Sequence, residues 1–120
     1  MAEAVAGAVA SGSSALAYRS LIQLADDLAA VDPDGLAVLT EMEPLSVGGR
    51  WDDAIAGIVE LRLREAGVPV PGWVTARVGD PGKPWAPDHA VVLPLPGPDS
   101  VPEPLRRRGI YIEAGEFESV

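Results

Sequence analysis

The sequence predicts a single small domain of the α+β class, mainly α-helical, with helices in its first half and irregular chain in its second. Apolar residues recur at helical spacing as far as residue 66. Ten of the twelve prolines then lie between Val68 and Pro104, where they exclude a long helix or a central strand. A chain of 120 residues is long enough for one modest core and too short for two, so we expect one domain over 1–120.

The first helix is predicted over about residues 14–31. Ser13 or Ser14 caps its start, because a serine hydroxyl accepts a hydrogen bond from the free amides of the first turn. Residues 1–12 are rich in Ala, Val and Gly without a clear period, and are either a frayed lead-in or a short helix packed on a partner. The apolar side of the first helix carries Leu16, Leu21, Leu24, Ala25, Leu28 and Val31.

Two further helices are predicted, over about residues 33–43 and 51–66. Asp32 suits the N-cap of the second helix and Pro33 its first position. Gly67 is a natural C-terminal cap for the third, since glycine adopts the left-handed conformation that ends a helix. The apolar positions are Leu36, Val38, Leu39 and Met42 in the second helix, and Trp51, Ile55, Ile58 and Val59 in the third.

The second half, residues 67–120, is predicted to wrap over the helices as ordered but irregular chain. Disordered proline-rich sequence seldom carries spaced tryptophans and aliphatic triplets. Short strands are expected near 90–93 and 110–112, where β-branched and aromatic residues cluster. Residues 113–120 are expected to close with a helical turn. The anchoring side chains of this wrap are Trp73, Trp85, Val91, Leu93, Leu95 and Leu105.

Composition excludes several classes of protein. A net charge of −9 and a pI near 4.4 oppose nucleic-acid binding, which requires excess Lys and Arg to neutralise phosphates. Such a chain is instead attracted to basic partners. The chain has no cysteine, so disulfides and thiolate metal sites are excluded and a cytoplasmic location is expected. No apolar run reaches the ~20 residues that span a bilayer, so no membrane association is expected.

No motif in the sequence predicts an enzyme, a cofactor or a metal site. His89 is the only histidine, and its neighbour Asp88 points to the opposite side of an extended chain and orients it poorly. The acidic pairs Asp32/Asp34, Glu41/Glu43 and Asp52/Asp53 are better explained as helix caps, first-turn carboxylates and solvated surface than as Mg²⁺ ligands. Residues 79–83 lack the spacing and the following helix of a phosphate-binding loop.

Six side chains are the candidates for partner contact: Trp51, Trp73, Trp85, Arg106, Arg107 and Arg108. Tryptophan and arginine dominate the binding energy of many protein interfaces. Each group also has a structural interpretation. Tryptophans in a Pro/Gly-rich chain often serve as local core anchors, and three consecutive arginines in an acidic chain can form internal salt bridges.

Five stretches, read together, resemble a known family. They are RWDDA at 50–54, GVPVPGWV at 67–74, PW at 84–85, PLRRRGIYI at 104–112 and EFESV at 116–120. Their order is similar to the C-terminal region of actinobacterial small regulators that often carry an N-terminal helix-turn-helix and act as antitoxin-like partners of neighbouring toxins. The resemblance covers roughly residues 45–120. It implies an antitoxin-like protein that binds and neutralises a cognate toxin.

The first 44 residues depart from that family pattern. They supply about two helices and no basic recognition helix, because Arg19 is their only positive side chain. The expected partner is therefore a basic toxin protein encoded nearby, and nucleic acid is not expected. A small transcriptional regulator is the alternative function. A homodimer also stays open, since an alanine-rich core of this size leaves a thin margin of stability.

Overall fold

Helices provide most of the regular backbone in the computed structural model, which describes residues 1–87 and 97–117. Two short 3-10 helices, Pro98–Ser100 and Ala114–Phe117, lie in the second half. The α-helices of this described part are α1 (Glu3–Ala10), α2 (Ser14–Ala29), α3 (Pro33–Thr40), α4 (Arg50–Ala66), α5 (Gly72–Ala76) and α6 (Glu103–Arg106).

The lead-in forms a helix that packs on its own chain. Val5 and Ala8 of α1 are buried, and α1 lies along α2 after a tight turn at residues 11–13. The hydroxyl of Ser13 accepts a hydrogen bond from the amide of Leu16 at 3.2 Å, so Ser13 is the N-cap of α2. Residues 1–12 are thus part of the folded unit rather than a frayed extension.

Helix α3 begins as the sequence predicts and ends earlier. The carboxylate of Asp32 accepts a hydrogen bond from the amide of Gly35 at 3.4 Å, and Pro33 occupies the first turn. The helix ends at Thr40 rather than near residue 43. The buried Thr40 hydroxyl donates to the carbonyl of Leu36 at 2.8 Å, which satisfies a polar group that would otherwise be costly to bury.

Helix α4 is the central element, and α2, α3, α5 and α6 all pack against it. Residues 54–60 are buried without interruption over about two turns. Gly57 permits the close approach of α6, because a Cβ at this position would lie 2.6 Å from Cδ2 of Leu105. Gly67 ends α4 with φ +71°, and the amide of Val68 donates to the carbonyl of Leu63 at 2.9 Å, confirming the predicted cap.

A buried carboxylate on α4 links this helix to α6. Glu60 is completely buried, and its oxygens accept from Arg64 at 2.7 Å, from Arg108 at 2.9 Å and from Arg107. Burial alone raises the pKa of Glu60, but the hydrogen bonds from Arg107, Arg108 and Arg64 outweigh it and hold that pKa below its ordinary value. Glu60 is therefore an ionised group inside the protein, and its charge is matched by arginines.

Arginine side chains also hold the irregular segments of the chain. Arg108 donates to the carbonyls of Arg77, Pro104 and Val74 at 2.6, 2.7 and 2.9 Å. Arg50, at the start of α4, donates to the carbonyls of Lys83 and Arg108 at 2.6 and 2.7 Å. Because proline lacks an amide hydrogen, a proline-rich chain has more carbonyl acceptors than amide donors. Each guanidinium carries five N–H donors, which bind some of the carbonyls that have no amide partner.

The predicted α+β class is wrong, because the described part of the chain is mainly helical and contains no strand. At 110–112 the chain forms one isolated parallel bridge, between Ile110 and Trp85. The amide of Tyr111 donates to Trp85, and the amide of Trp85 donates to Gly109, both at 2.8 Å. The next donor would be residue 87, a proline, so the ladder cannot continue. The strand predicted near 90–93 lies outside the described residues.

The apolar side chains of both halves belong to one hydrophobic core. Tyr18, Leu21 and Leu28 of α2 meet Ile55, Ile58 and Leu63 of α4 in this core. The second half contributes further buried side chains: Val74, Val101, Leu105, Ile110, Ile112 and Phe117. The wrapping chain is therefore held by apolar burial as well as by arginine hydrogen bonds.

Glu60→Gln is expected to lower the free energy of unfolding at neutral pH by about 3–5 kcal/mol, because it leaves the buried Arg108 charge without a counter-ion. The folded-state pKa of Glu60 is depressed, so its stabilisation is fully present above its unfolded pKa of about 4.3 and is lost as pH falls through the lower folded value. Urea unfolding at several pH values should show the wild type and the variant converging in acid.

Glu65→Gln is the control on the same helix, because the Glu65 carboxylate is half-exposed and Arg62, its partner at 2.7 Å, also donates to the carbonyls of Ala25 and Phe117. Its loss should cost no more than about 1 kcal/mol. Equal effects of the two substitutions, or a Glu60→Gln effect that does not change with pH, would contradict the role given to Glu60.

Candidate partner-binding surface

Two of the candidate tryptophans contact each other. Trp51 lies in the first turn of α4 and Trp85 in the irregular chain, with ring centroids 5.1 Å apart and planes at 84°. Both are partly buried and pack on the core. An edge-to-face pair of this kind stabilises by about 0.5–1.5 kcal/mol beyond its buried area. It fastens the segment around residue 85 to the start of α4.

Trp73 is separate from that pair and joins α5 to the end of α3. Its indole Nε1–H donates to the carbonyl of Thr40 at 2.8 Å. The guanidinium of Arg77 stacks over the ring, 5.0 Å from its centroid. Arg77 also donates to the carbonyl of Pro44 at 3.0 Å and to the carboxylate of Glu43 at 3.1 Å. Trp73 and Arg77 thus both hold the end of α3 and the chain that follows it.

The three consecutive arginines have three different environments. Arg108 is buried and fully engaged inside the protein. Arg107 is partly exposed and bridges Glu60 to Glu103, the latter at 3.0 Å. Arg106 donates to the carbonyl of Pro98 at 3.1 Å. The internal salt bridging considered for these arginines is therefore observed at Arg107 and Arg108.

The structure does not gather the six candidate residues into one surface. Trp51 and Trp85 form one group, Trp73 lies with Arg77, and Arg107 and Arg108 share Glu60. Their observed contacts hold the second half of the chain against the helices. A direct role for any of them in partner contact stays a prediction.

An apolar groove lies between the start of α1 and the end of α3. One wall consists of Met1, Ala2, Glu3 and Ala6, and the other of Leu39 and residues 42–45. Its volume is about 290 Å³. Pockets that enclose a small molecule usually measure about 300–1,000 Å³ and present convergent polar groups. This open site is therefore suited to a few apolar side chains of a larger partner. We call it the α1–α3 groove.

The most exposed large apolar side chains of the described part of the chain lie in or beside this groove. Leu45 is 91% exposed, Met42 81% and Val38 74%. Leu39 is also exposed, whereas Leu36 of the same helix is completely buried. Leu39, Met42 and Leu45 line the same groove, and a contiguous apolar patch marks an interaction surface more often than an isolated exposed leucine does.

Sequence reasoning missed this surface, because it named Leu36, Val38, Leu39 and Met42 as the apolar residues of one helix without separating its faces. Val38 lies two positions after Leu36, about 200° around the helix, and so on nearly the opposite face. Met42 lies beyond the end of α3, in the chain that forms one wall of the groove. Apolar residues on two faces of a short helix were the signal that would have revealed a second surface.

The electrostatic setting of the groove is acidic. Residues 1–44 carry seven carboxylates and one arginine, Arg19. Glu3 and Glu43 stand on opposite walls, and no Lys or Arg lines the groove. Glu43 is paired with Arg77, and more than half of its side-chain surface remains exposed.

Neither a metal centre nor a membrane span is found where the structure can be described. In residues 1–87 and 97–117, no group of three or more His, Cys, Asp or Glu side chains is arranged to hold a metal ion. The described helices include none long and apolar enough to cross a membrane. Asp88 and His89, the one pair considered for acid–base chemistry, lie outside the described residues.

Trp73→Phe is expected to lower the free energy of unfolding by about 1 kcal/mol, because it removes the indole donor to Thr40 and keeps an aromatic ring under Arg77. Urea denaturation measures the effect. Thr75→Ala is the control: the Thr75 hydroxyl donates only within α5, to Gly72 at 3.0 Å, so its loss should be nearly neutral. Unchanged stability of Trp73→Phe would contradict the link between α5 and α3.

Comparisons with known proteins assign no family to this chain. Comparison of the chain with protein-family models, with curated proteins and with solved structures finds no significant match. The functional argument therefore rests on the chemistry of the chain itself.

Proposed function

We propose that this chain is an antitoxin-like protein that binds a basic protein partner, a cognate toxin, and neutralises it by protein–protein contact in the cytoplasm. The observation that carries the proposal is the division of charge in the fold. Positive side chains are used to hold the structure together, while an excess of carboxylates is left for the surface of the helical half.

The inward use of arginine supports this division. Arg50, Arg62, Arg77, Arg106 and Arg108 each donate to main-chain carbonyls. In addition, Arg64 and Arg107 pair with the buried Glu60. The donors used in these contacts are not free to bind a phosphate backbone.

The outward excess of carboxylates supports a basic partner. Asp34 and Glu41 are exposed at the two ends of α3, and residues 1–44 contain only one arginine, Arg19, against seven carboxylates. A surface of one charge sign attracts oppositely charged partners and speeds their association. Toxins that act on nucleic acids need a basic cleft to hold phosphate, and this surface complements such a cleft.

The alternative function, a DNA-binding regulator, receives less support from the fold. A DNA-reading helix needs basic side chains that contact phosphates. Helices α1–α3 contain one arginine among them. The arginines of the second half already bind carbonyls and Glu60.

Co-expression with the product of an adjacent gene tests the proposal. We expect a stoichiometric complex and loss of the partner's toxicity. We also expect weaker binding when ionic strength rises from about 0.1 M to about 1 M, which shortens the Debye length from about 10 Å to about 3 Å. Asp34→Lys combined with Glu41→Lys should slow association several-fold, as measured by surface plasmon resonance.

Asp99→Lys is the control, since it changes the charge of an exposed carboxylate in the other half of the chain. Two results would overturn the proposal. One is a neighbouring protein that neither binds nor loses its toxicity. The other is tight binding of this chain to its own upstream DNA in a mobility-shift assay.

A further inference from the structure

The α1–α3 groove exposes large apolar side chains to water. Met42 and Leu45 are the most exposed of its apolar lining residues, at 81% and 91%. Val38, on the outer face of α3, is a further exposed apolar side chain of this helix. Methionine is flexible and polarisable, and it is common on surfaces that accept another protein's apolar side chains. Covering this patch therefore yields favourable free energy.

The two-walled form of the groove suits an apolar ridge that enters between the walls. Its two walls come from the start of α1 and from the end of α3 with the chain that follows it. Space of about 290 Å³ accommodates a few protruding side chains. An amphipathic helix presents such a ridge, because residues three and four apart lie on one face.

The charge around the groove favours a positively charged occupant. Glu3 and Glu43 lie on the two walls and are paired, with the N-terminal ammonium group at 2.6 Å and with Arg77 at 3.1 Å, yet their side chains remain 85% and 54% exposed. Glu41 is exposed nearby. Positive side chains flanking an apolar ridge would meet these carboxylates. A second copy of this chain is a poor occupant, since each copy carries a net charge of −9 and presents the same carboxylates.

The wall formed by Leu39 and residues 42–45 is held in place by hydrogen bonds within the free protein. Trp73 holds the carbonyl of Thr40 at 2.8 Å, and Arg77 holds the carbonyl of Pro44 at 3.0 Å and the carboxylate of Glu43 at 3.1 Å. These contacts fix the wall at three positions of the segment 40–44. A wall that is ordered in the free protein reduces the entropy lost on binding.

From the apolar lining, the shape and the charge, we infer that the α1–α3 groove docks one amphipathic helix of a basic partner protein. Its apolar face packs on Leu39, Met42 and Leu45, and its flanking Lys and Arg side chains face Glu3, Glu41 and Glu43. The inference rests on the proposed function and names the site through which the partner is bound.

A synthetic probe peptide tests the site directly. The probe is a fluorescein-labelled helix of about 16 residues with leucines on one face and Lys and Arg on the other. A scrambled peptide of the same composition removes the apolar face and keeps the charge. Binding is measured by fluorescence anisotropy with the full chain. We expect the amphipathic peptide to bind and the scrambled peptide to bind at least about tenfold more weakly.

Met42→Glu and Leu45→Glu place a carboxylate on the apolar wall and should weaken peptide binding by about tenfold or more. Leu16→Glu is the matched control. It adds the same charge to an exposed apolar side chain of α2, beside the turn that joins α1 to α2 and away from the groove. Circular dichroism confirms that each variant folds. A Leu16→Glu loss equal to that of Met42→Glu would overturn the site, as would equal binding of the scrambled peptide or no binding of either.

The co-expressed toxin distinguishes failure of the site from failure of the proposed function. If Met42→Glu abolishes both peptide and toxin binding, the groove is the docking site. If the toxin still binds Met42→Glu as tightly as the wild type, the groove assignment fails and the antitoxin-like function stands. Self-association of the wild type that Met42→Glu abolishes, seen by sedimentation, would make a second copy the occupant and overturn the inference.

Discussion

The ion cluster around Glu60 is the interaction on which the rest of the structure depends. Glu60 lies on the most buried stretch of α4, and Arg108 brings the chain after α6 to it at 2.9 Å. Arg108 also donates hydrogen bonds to the carbonyls of Val74, Arg77 and Pro104. One buried pair thus joins the central helix to α6 and to the end of α5. A buried pair of this type contributes little net free energy relative to apolar packing, but removing one partner leaves a costly uncompensated charge. Its main effect here is to determine where the second half lies.

The shortage of amide donors explains why arginine has this role. The prolines of the second half supply carbonyls without amide hydrogens, and in residues 67–87 and 97–117 no ladder of main-chain hydrogen bonds extends beyond the single bridge between Trp85 and Ile110. Guanidinium groups from α4 and from the wrap itself supply donors in their place. This use of the positive side chains has a consequence at the surface. Residues 1–44 carry seven carboxylates and one arginine, Arg19, so this part of the chain presents an acidic face with an apolar groove beside it.

The helical half was predictable because its signals are local. Ser13, Asp32 and Gly67 cap helices where the sequence places them. Leu21, Leu24 and Leu28 of α2 face the core, whereas Leu16, expected on the same apolar side, is exposed. The wrap could not be predicted in detail, because its contacts join residues far apart in sequence, such as Glu60 with Arg107 and Arg108. The strand expected at 110–112 does not form, because Pro87 lies beside it and has no amide hydrogen to donate. The sequence alone does not show that these two segments are neighbours. The groove was missed because spacing alone did not separate the two apolar faces of α3, although the position of Val38 opposite Leu36 carried that information.

Hydrogen–deuterium exchange of Arg108→Met tests most directly whether arginine contacts, rather than main-chain pairing, hold the wrap on the helices. The amides of Asp80, Trp85 and Tyr111 donate to carbonyls where two segments of the wrap cross, at 3.1, 2.8 and 2.8 Å. Local opening exposes such amides to exchange without unfolding the rest of the molecule. The account predicts that these three amides lose protection together in the variant, while the amides of α2 remain protected. Protection of all three at wild-type levels in the folded variant would contradict it.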